Sequence, residues 1–397
     1  MFAAGCAENG PTSTASRASD GSKWIDAWAA SFLPTKVNGT VQNVPALNHQ
    51  TIRLEVFSKL AGSAARVRFT NQFETTPLEI GAAHIALRDH ESNIIAGTDR
   101  ALLFTGARGI TIAPGEEVWS DPVTLAVPQH ADVAISVYVP GARKPTAFHA
   151  TGLKTSYLSA PGDFTAAASI PPAAENPRTT TQIFFADDLQ VMAPARTKVI
   201  VALGDSITDG SASTVDANAS WPDRLSKRLA ALPDGTGVSV INMGIGSNRL
   251  VTADAAGPTG LMRVDHDVLA RPNVTHLIVM EGINDISYEH PKPEQLIAAY
   301  KEIIAKAHDK GIKVYGVTLL PIQNSRKDTP ENEATRQAVN KWIRESAAYD
   351  AVLDFERVVR DPANPLRIRS DLTMDYVHPN SAGYQLMAAS VDLKLFQ

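Results

Sequence analysis

Four polar clusters in the second half of the chain contain residue types that could together carry out nucleophilic catalysis. They lie at residues 204–210, 242–249, 281–285 and 375–380. A serine hydroxyl becomes an effective nucleophile when a histidine takes its proton and a carboxylate orients that histidine. Ser206, His378 and Asp375 supply these three groups. The sequence therefore predicts a serine nucleophile served by a histidine base and an aspartate.

The spacing of Asp375 and His378 allows a hydrogen bond between them, because residues three apart can meet within one turn. The carboxylate can then accept the Nδ1–H of the imidazole and leave Nε2 free to face Ser206. The side-chain amide of Asn284 and the backbone N–H groups of Ser206 and Ser247 could donate to a developing oxyanion. Each motif alone also has a structural interpretation as a helix cap, a turn or a surface pair. Their joint occurrence favours catalysis.

Short apolar runs and helix-length amphipathic segments alternate around these clusters. The apolar runs are 199–203, 238–241, 277–280, 314–319 and 351–355. Segments 296–307 and 335–347 have the apolar spacing of helices that bury one face. Apolar strands that alternate with helices predict a parallel sheet covered on both faces. Because ligands bind outside the carboxyl ends of such strands, we expect the polar clusters to meet at one edge of the sheet.

The first half of the chain has a different pattern, with period-two alternation from Trp24 to about Leu158. Its alternating runs are 50–54, 65–69 and 132–139. Half-buried alternating strands predict an antiparallel β-sandwich. We interpret 159–198 as an inter-domain connection with one returning strand at 182–185. The predicted organisation is a flexible tether at 1–23, a β-sandwich domain with its linker at 24–195, and an α/β domain at 196–397.

Taken together, the polar clusters resemble the motifs of the SGNH branch of the GDSL hydrolase superfamily. The first block resembles residues 204–210, with Ile207 where the family name has leucine. The third block resembles 282–285, and the last resembles 375–380. The likeness covers roughly residues 198–396. It implies a flavodoxin-like α/β/α domain with a parallel sheet.

The resemblance also implies a role for each matching residue. Ser206 would be the nucleophile, Asp375 and His378 the acid and base, and Asn284 an amide donor to the oxyanion. The second block of the family carries a glycine whose N–H completes the oxyanion hole, and here that position falls on Ser247. A serine keeps the N–H, so we assign the donor role to Ser247.

Two neighbours of Ser247 complete the set of candidate site residues. Gly246 directly precedes it and is the alternative donor to the oxyanion. Arg249 lies two residues beyond it and is the candidate specificity residue.

The whole chain, including the threonines at 179–181, is similar to bacterial two-domain members grouped with acetylxylan esterases. This similarity implies a serine esterase that hydrolyses short-chain esters, above all acetyl esters of carbohydrates, through an acyl-enzyme. Two alternatives stay open. An acyltransferase would use the same residues with a sugar hydroxyl in place of water, and a carbohydrate-binding protein would have a vestigial site. The front domain could bind glycan or serve as a structural lid.

Composition excludes several other classes of function. The formal net charge is −5, so a basic surface that neutralises phosphates is not predicted, and neither is nucleic-acid binding. The apolar runs are too short to span a bilayer. The scattered histidines lack the spacing of metal ligands, so we predict no metal and no other cofactor. The expected partner is a small ester or an acetylated carbohydrate.

Cys6 is the single cysteine, which excludes an internal disulfide. It ends the segment Ala-Ala-Gly-Cys, which resembles a bacterial lipoprotein cleavage site, although no charged or apolar signal region is visible before it. A lipid anchor at Cys6 and a chance likeness both stay open. The Ser- and Thr-rich segment that follows is typical of a flexible tether, and we expect an extracytoplasmic protein.

Overall fold

The computed structural model describes residues 21–37, 40–174, 178–233, 237–252 and 257–397. Cys6 and most of the predicted tether lie outside the described residues. The first strand begins at Ser22, one residue before the predicted end of the tether.

Antiparallel strands make up the regular structure of the described residues before Lys198, where no helix occurs. They are β1 (Ser22–Ala29), β2 (Leu33–Pro34), β3 (Lys36–Val37), β4 (Thr40–Val41), β5 (Leu47–Phe57), β6 (Gly62–Thr70), β7 (Leu78–Ile80), β8 (Ala82–Leu87), β9 (Arg100–Leu102), β10 (Ile110–Ile112), β11 (Glu117–Trp119), β12 (Val123–Val127), β13 (Asp132–Arg143), β14 (Ala147–Phe148), β15 (Ser156–Pro161), β16 (Thr179–Thr180) and β17 (Ala186–Pro194). The three alternating runs of the sequence lie within β5, β6 and β13.

Two larger sheets organise these strands. One has the order β1-β17-β6-β11, with β12 also paired to β6, and the other has the order β16-β15-β5-β13-β8-β9. Val67 and Leu189 of the first sheet and Ile52 and Ile135 of the second are fully buried and belong to one hydrophobic cluster. Burial alternates along β6, whereas long stretches of β5 and β13 are buried on both faces. That the two sheets form a β-sandwich stays a prediction.

The interpretation of 159–198 as a connection with a strand at 182–185 is wrong. The strand is β17, and it lies inside the first sheet between β1 and β6. Its acidic residues are buried because they are paired: Asp187 binds Arg68 at 2.7 Å, and Asp188 binds Arg271 at 2.6 Å. Paired buried charges remove the apolar pattern by which a strand is recognised in a sequence.

The second half of the chain alternates strands and helices, as the sequence predicts. Its strands are β18 (Lys198–Gly204), β19 (Val238–Gly244), β20 (Val274–Met280), β21 (Lys313–Val317), β22 (Ala351–Leu353), β23 (Arg360–Asp361) and β24 (Asn364–Ile368). Its α-helices are α1 (Ser206–Asp209), α2 (Trp221–Ala230), α3 (Gly260–Val264), α4 (Ile283–Tyr288), α5 (Pro293–His308), α6 (Pro330–Glu345), α7 (Phe355–Val359) and α8 (Ser381–Ser390). A π-helical turn at Asp265–Leu269 and 3₁₀ turns at Ser370–Leu372 and Leu393–Phe396 complete the elements.

A parallel sheet of order β19-β18-β20-β21-β22 forms the centre of this half. Numbered from its own first strand, the order is 2-1-3-4-5, that of doubly wound flavodoxin-like sheets. All residues from 199 to 203 of β18 are fully buried, so both faces of the sheet are covered. The prediction of an α/β domain with a parallel sheet is confirmed.

Helix α5 buries the face predicted from its apolar spacing. Its buried residues are Leu296, Ala299, Tyr300, Ile303, Ile304 and Ala307. Helix α6 begins earlier than the predicted 335, because the side chain of Thr329 caps it by accepting the Asn332 N–H and Pro330 occupies the first turn. Among the described residues, no helix is both long enough and apolar enough to cross a bilayer.

Buried and half-buried ion pairs join the two halves of the chain. They connect Asp188 with Arg271, Lys59 with Asp223, His149 with Asp209, and Glu117 with His266. His149 reaches Asp209 at the end of α1, so this contact places part of the N-terminal half at the carboxyl edge of the parallel sheet. That edge is where the polar clusters of the sequence lie.

Candidate active site

Ser206 lies where β18 ends and α1 begins. A Cβ atom added to Gly204 would lie 2.5 Å from the carbonyl oxygen of Met280, so glycine is required for the helix to start directly at the strand end. The Asp205 side chain caps α1 by accepting the Ile207 N–H at 2.9 Å. The Ser206 N–H occupies the first turn of α1, where a backbone N–H has no acceptor within the helix.

Ser206, His378 and Asp375 form a continuous chain of hydrogen bonds. The Oγ of Ser206 lies 2.8 Å from Nε2 of His378, and Nδ1 of His378 lies 2.7 Å from Oδ2 of Asp375. The other oxygen of Asp375 accepts the backbone N–H groups of Val377 and His378. Burial acts to raise the pKa of Asp375, but these hydrogen bonds outweigh it and lower the pKa below its usual value. Asp375 therefore stays ionised and holds Nε2 toward the serine.

Asn284 lies in the first turn of α4, and both ends of its amide are engaged. Its Nδ2 donates to the carbonyl oxygen of Asn248 at 2.9 Å, and its Oδ1 accepts from Nζ of Lys327 at 2.6 Å. Because an ammonium can only donate, the atom that faces Lys327 must be the amide oxygen. This fixes the orientation of the amide. Within the described part of the chain, the second Nδ2–H has no hydrogen-bond acceptor.

Ser247 has a φ of +63°, in the left-handed region that favours glycine. This conformation gives a physical reason for a glycine at this place in the family. The Ser247 N–H meets no acceptor among the described residues, and the Gly246 N–H lies near the Asp209 carboxylate, where it opposes the rise that burial causes in the pKa of Asp209. Which of the two N–H groups serves the oxyanion stays a prediction, with Ser247 as the assigned donor.

Asp285 supports the loop that contains Ser247. Asp285 accepts the backbone N–H groups of Leu250 and Val251 at 2.7 and 2.9 Å. It thus fixes the segment that follows Ser247. No group of three or more His, Cys, Asp or Glu residues in the described ranges is arranged to hold a metal ion.

The candidate catalytic residues open into a cavity of about 520 Å³. Its wall includes Ser206, Ser247, Asn284 and His378. The N-terminal half supplies a second part of the wall, made of Leu33, Gln42, Phe148, Ala150 and Thr151. The sequence did not indicate these five residues, because nothing in an alternating strand pattern shows which residues face another domain.

Arg249 is not among the residues that line the cavity. Its guanidinium turns to Glu289 at 3.4 Å and lies over the ring of Tyr288, 5.1 Å from the ring centre. Tyr288 is the residue of this group that lines the cavity. The role of Arg249 as a specificity residue stays a prediction, and its contact with Tyr288 connects it to the cavity.

Lys327 is the site residue that sequence reasoning missed. It lies between β21 and α6, is 5% exposed and lines the cavity together with the exposed Arg326. Burial lowers the pKa of Lys327 to about 8. The signal was available, because the polar residues at 324–328 follow the apolar run 314–319 as the other clusters follow theirs.

Comparison with known proteins agrees with this geometry. Residues 202–386 match the family model of the GDSL-like lipase/acylhydrolase family. The C-terminal domain belongs to this family. It is a carboxylic ester hydrolase, and the matched segment contains all four candidate residues Ser206, Asn284, Asp375 and His378. The match leaves the N-terminal half of the chain unassigned.

Several solved structures are similar to the hydrolase domain. A lipolytic protein of the G-D-S-L family from Desulfitobacterium hafniense is 24% identical, with 49% of this chain and 97% of that chain covered and a TM-score of 0.39. An arylesterase from Agrobacterium tumefaciens is 19% identical over 50% and 99% of the chains, with a TM-score of 0.40. The carbohydrate acetylesterase Est24 from Sinorhizobium meliloti is 15% identical over 50% and 99%, also with a TM-score of 0.40. A search of curated proteins gives no match.

Proposed function

We propose that this hydrolase is a serine esterase that removes short acyl groups, above all acetyl, from carbohydrates. The observation that carries the proposal is the chain of hydrogen bonds from Ser206 through His378 to Asp375, at 2.8 and 2.7 Å, in a cavity whose wall also includes Ser247 and Asn284. Nucleophile, base, orienting carboxylate and oxyanion donors are the parts that acyl transfer to serine requires.

The reaction then runs in two halves. Nε2 of His378 takes the proton of Ser206 as Oγ bonds to the ester carbonyl carbon, and the carbonyl oxygen becomes an oxyanion. The N–H groups of Ser206 and Ser247 and the Nδ2–H of Asn284 bind that oxyanion. When the intermediate collapses, the C–O bond to the alcohol breaks and His378 returns the proton to the departing oxygen. Water deprotonated by His378 then hydrolyses the acyl-enzyme and regenerates Ser206.

The shape and composition of the cavity support a carbohydrate as the alcohol portion. A volume of about 520 Å³ can hold a ligand the size of a sugar unit. The wall offers aromatic rings at Phe148 and Tyr288 and polar groups at Gln42 and Thr151. Three of these four residues, Gln42, Phe148 and Thr151, belong to the N-terminal half. We propose that the N-terminal half acts as this wall of the substrate site.

A panel of esters tests the proposal. Acetyl, butyryl and octanoyl p-nitrophenyl esters should be compared with acetylated xylan, pectin and chitin fragments, with Ser206→Ala as the matched control. We expect acetate release from an acetylated glycan, and a loss of turnover of about 10⁴- to 10⁶-fold in the variant. A folded Ser206→Ala protein that keeps a tenth of the activity would contradict the mechanism. Activity on octanoyl esters alone would contradict the substrate class, and acylated sugar formed from an added acceptor would indicate acyl transfer.

The cellular location is also a proposal. We propose an extracytoplasmic enzyme, which is supported by the lipoprotein-like Cys6 and the tether-like composition that follows it. Mass spectrometry of the N-terminal peptide from cells that produce the protein would reveal an acylated cysteine. A soluble cytoplasmic enzyme in cell fractionation would contradict the proposed location.

A further inference from the structure

Lys327 is a buried cation whose partner is a neutral group. Its side chain is 5% exposed, and its Nζ lies 2.6 Å from the amide oxygen of Asn284. Among the described residues, no Asp or Glu oxygen lies within 4.0 Å of this Nζ. Burying an ammonium that has no carboxylate in direct contact is costly, and Asp205 and Asp375 stabilise this one only from beyond 4.0 Å. Such an arrangement is useful where negative charge arises during the reaction.

We propose that Lys327 is a positioning residue for the oxyanion hole and acts through Asn284. The inference rests on the proposed function, because it requires an oxyanion beside Ser206. The ammonium can only donate, so it holds Oδ1 of Asn284 and thereby directs the Nδ2 group away from itself. One Nδ2–H is engaged with the carbonyl of Asn248 at 2.9 Å, and the other is left to meet the oxyanion.

The positive charge also strengthens the donor that it holds. A hydrogen bond to Oδ1 draws electron density from the amide and makes its N–H groups more positive, since linked hydrogen bonds polarise one another in a medium of low dielectric constant. The effect grows as the carbonyl oxygen of the ester gains charge, so it is larger in the transition state than in the bound substrate. Lys327 should therefore act on kcat more than on KM.

The charged state of Lys327 depends on pH through the groups that surround it. Asp205 at the start of α1 and Asp375 in the loop before α8 favour the ammonium form, whereas Arg326 and Arg249 disfavour it. Two further titratable side chains face the same space: the ring of Tyr288, 5.1 Å from Nζ, and His378 across the cavity. Burial lowers the pKa of Lys327 to about 8, so the cation is present at neutral pH and is lost as the pH rises through that value.

Charge removal at this position is the first test. Lys327→Met keeps a long apolar side chain without the charge, and Lys327→Arg keeps the charge. The exposed Lys301→Met on α5 is the control for removal of one positive charge. We expect Lys327→Met to lower kcat for acetate release by about 10- to 100-fold, the scale of one hydrogen bond to a charged group, with KM changed less than threefold. A kcat within threefold of the wild type in a folded Lys327→Met protein would overturn the proposal.

A double-mutant cycle with Asn284→Ala shows whether Lys327 acts through that amide. In the Asn284→Ala background, Lys327→Met should change kcat less than threefold. A full additional loss would mean that Lys327 acts independently of Asn284 and would overturn the proposed route. Thermal melting of each variant separates a loss of folding from a loss of function.

The pH–rate profile gives a readout that a purely structural role would not move. In the wild type, kcat should fall above about pH 8 as Lys327 loses its proton. Lys327→Arg should keep kcat near the wild-type value, unlike Lys327→Met. It should also shift the fall in kcat to a higher pH, because an arginine stays charged. A wild-type profile that is flat to pH 10 would overturn the proposal. If Ser206→Ala is inactive while Lys327→Met is normal, the esterase mechanism stands and only this inference fails.

Discussion

Replacement of Ser247 by glycine tests which group of this residue serves the oxyanion. The φ of +63° places Ser247 in the left-handed region, and its N–H meets no protein acceptor among the described residues. Glycine keeps the N–H and removes only the hydroxymethyl group. If the backbone is the donor, we expect kcat on acetyl esters to stay within about threefold, whereas loss of one oxyanion donor costs about 10²- to 10³-fold.

The effect on stability can be worked out from the same dihedral angle. A left-handed conformation costs an L-residue about 1–2 kcal/mol, and glycine avoids that cost. Glycine also gives the unfolded chain more freedom, which costs about 0.5–1 kcal/mol. The two terms leave a net gain of about 0–1.5 kcal/mol. For a domain of this size, that gain raises Tm by at most about 3–6 °C.

Ser247→Ala is the matched control, because it removes the hydroxyl group but keeps the left-handed strain. We expect Ser247→Ala to keep its activity and to melt below Ser247→Gly. The Ser247 side chain is exposed on the cavity wall, so Ser247→Gly should also shift selectivity toward butyryl and octanoyl esters. The reasoning is refuted if both variants lose about 10²-fold on every chain length, since that result would make the hydroxyl the donor.

Three further predictions follow from the site and from the contact between the two halves. Asn284→Ala should lower kcat by about 10²- to 10³-fold with little change in KM, because the oxyanion forms only in the transition state; an effect on KM alone in steady-state kinetics would contradict this role. Asp375→Asn should lower kcat by about 10⁴-fold in a folded protein, since an amide cannot stabilise the imidazolium of His378. A loss of kcat of less than about tenfold would contradict this role of Asp375. Hydrogen bonds that the His266 ring donates to Asp267 and Glu117 raise the pKa of His266 to about 9, against the effect of burial. The stability contributed by charged His266 is therefore complete below its unfolded pKa of about 6.5 and is lost as the pH rises through about 9. Tm should fall over that pH interval in the wild type and fall less in His266→Gln. Parallel curves of Tm against pH for the two proteins would contradict a stabilising charge on His266.

Local features of the sequence determined the elements and most of the candidate site. Alternation marked β5, β6 and β13, and apolar runs marked the strands of the parallel sheet, because the period of burial is a property of each segment. The Asp375–His378 pair was also predictable, since residues three apart in the sequence are also close in space. Placement of Ser206 and Asn284 at one edge followed from the rule for carboxyl ends of parallel strands.

Contacts between distant segments were decided only by the tertiary structure. Lys327 meets Asn284 across 43 residues of sequence, and no periodic signal encodes such a meeting. Arg249 contacts Glu289 and the ring of Tyr288, which lie far from it in the sequence. The sequence pattern did not indicate strand β17, because its buried carboxylates are paired with arginines from elsewhere in the chain. The sequence determined what each segment is, whereas packing between segments decided which side chains share the cavity, because pairing and burial depend on neighbours that lie far away along the chain.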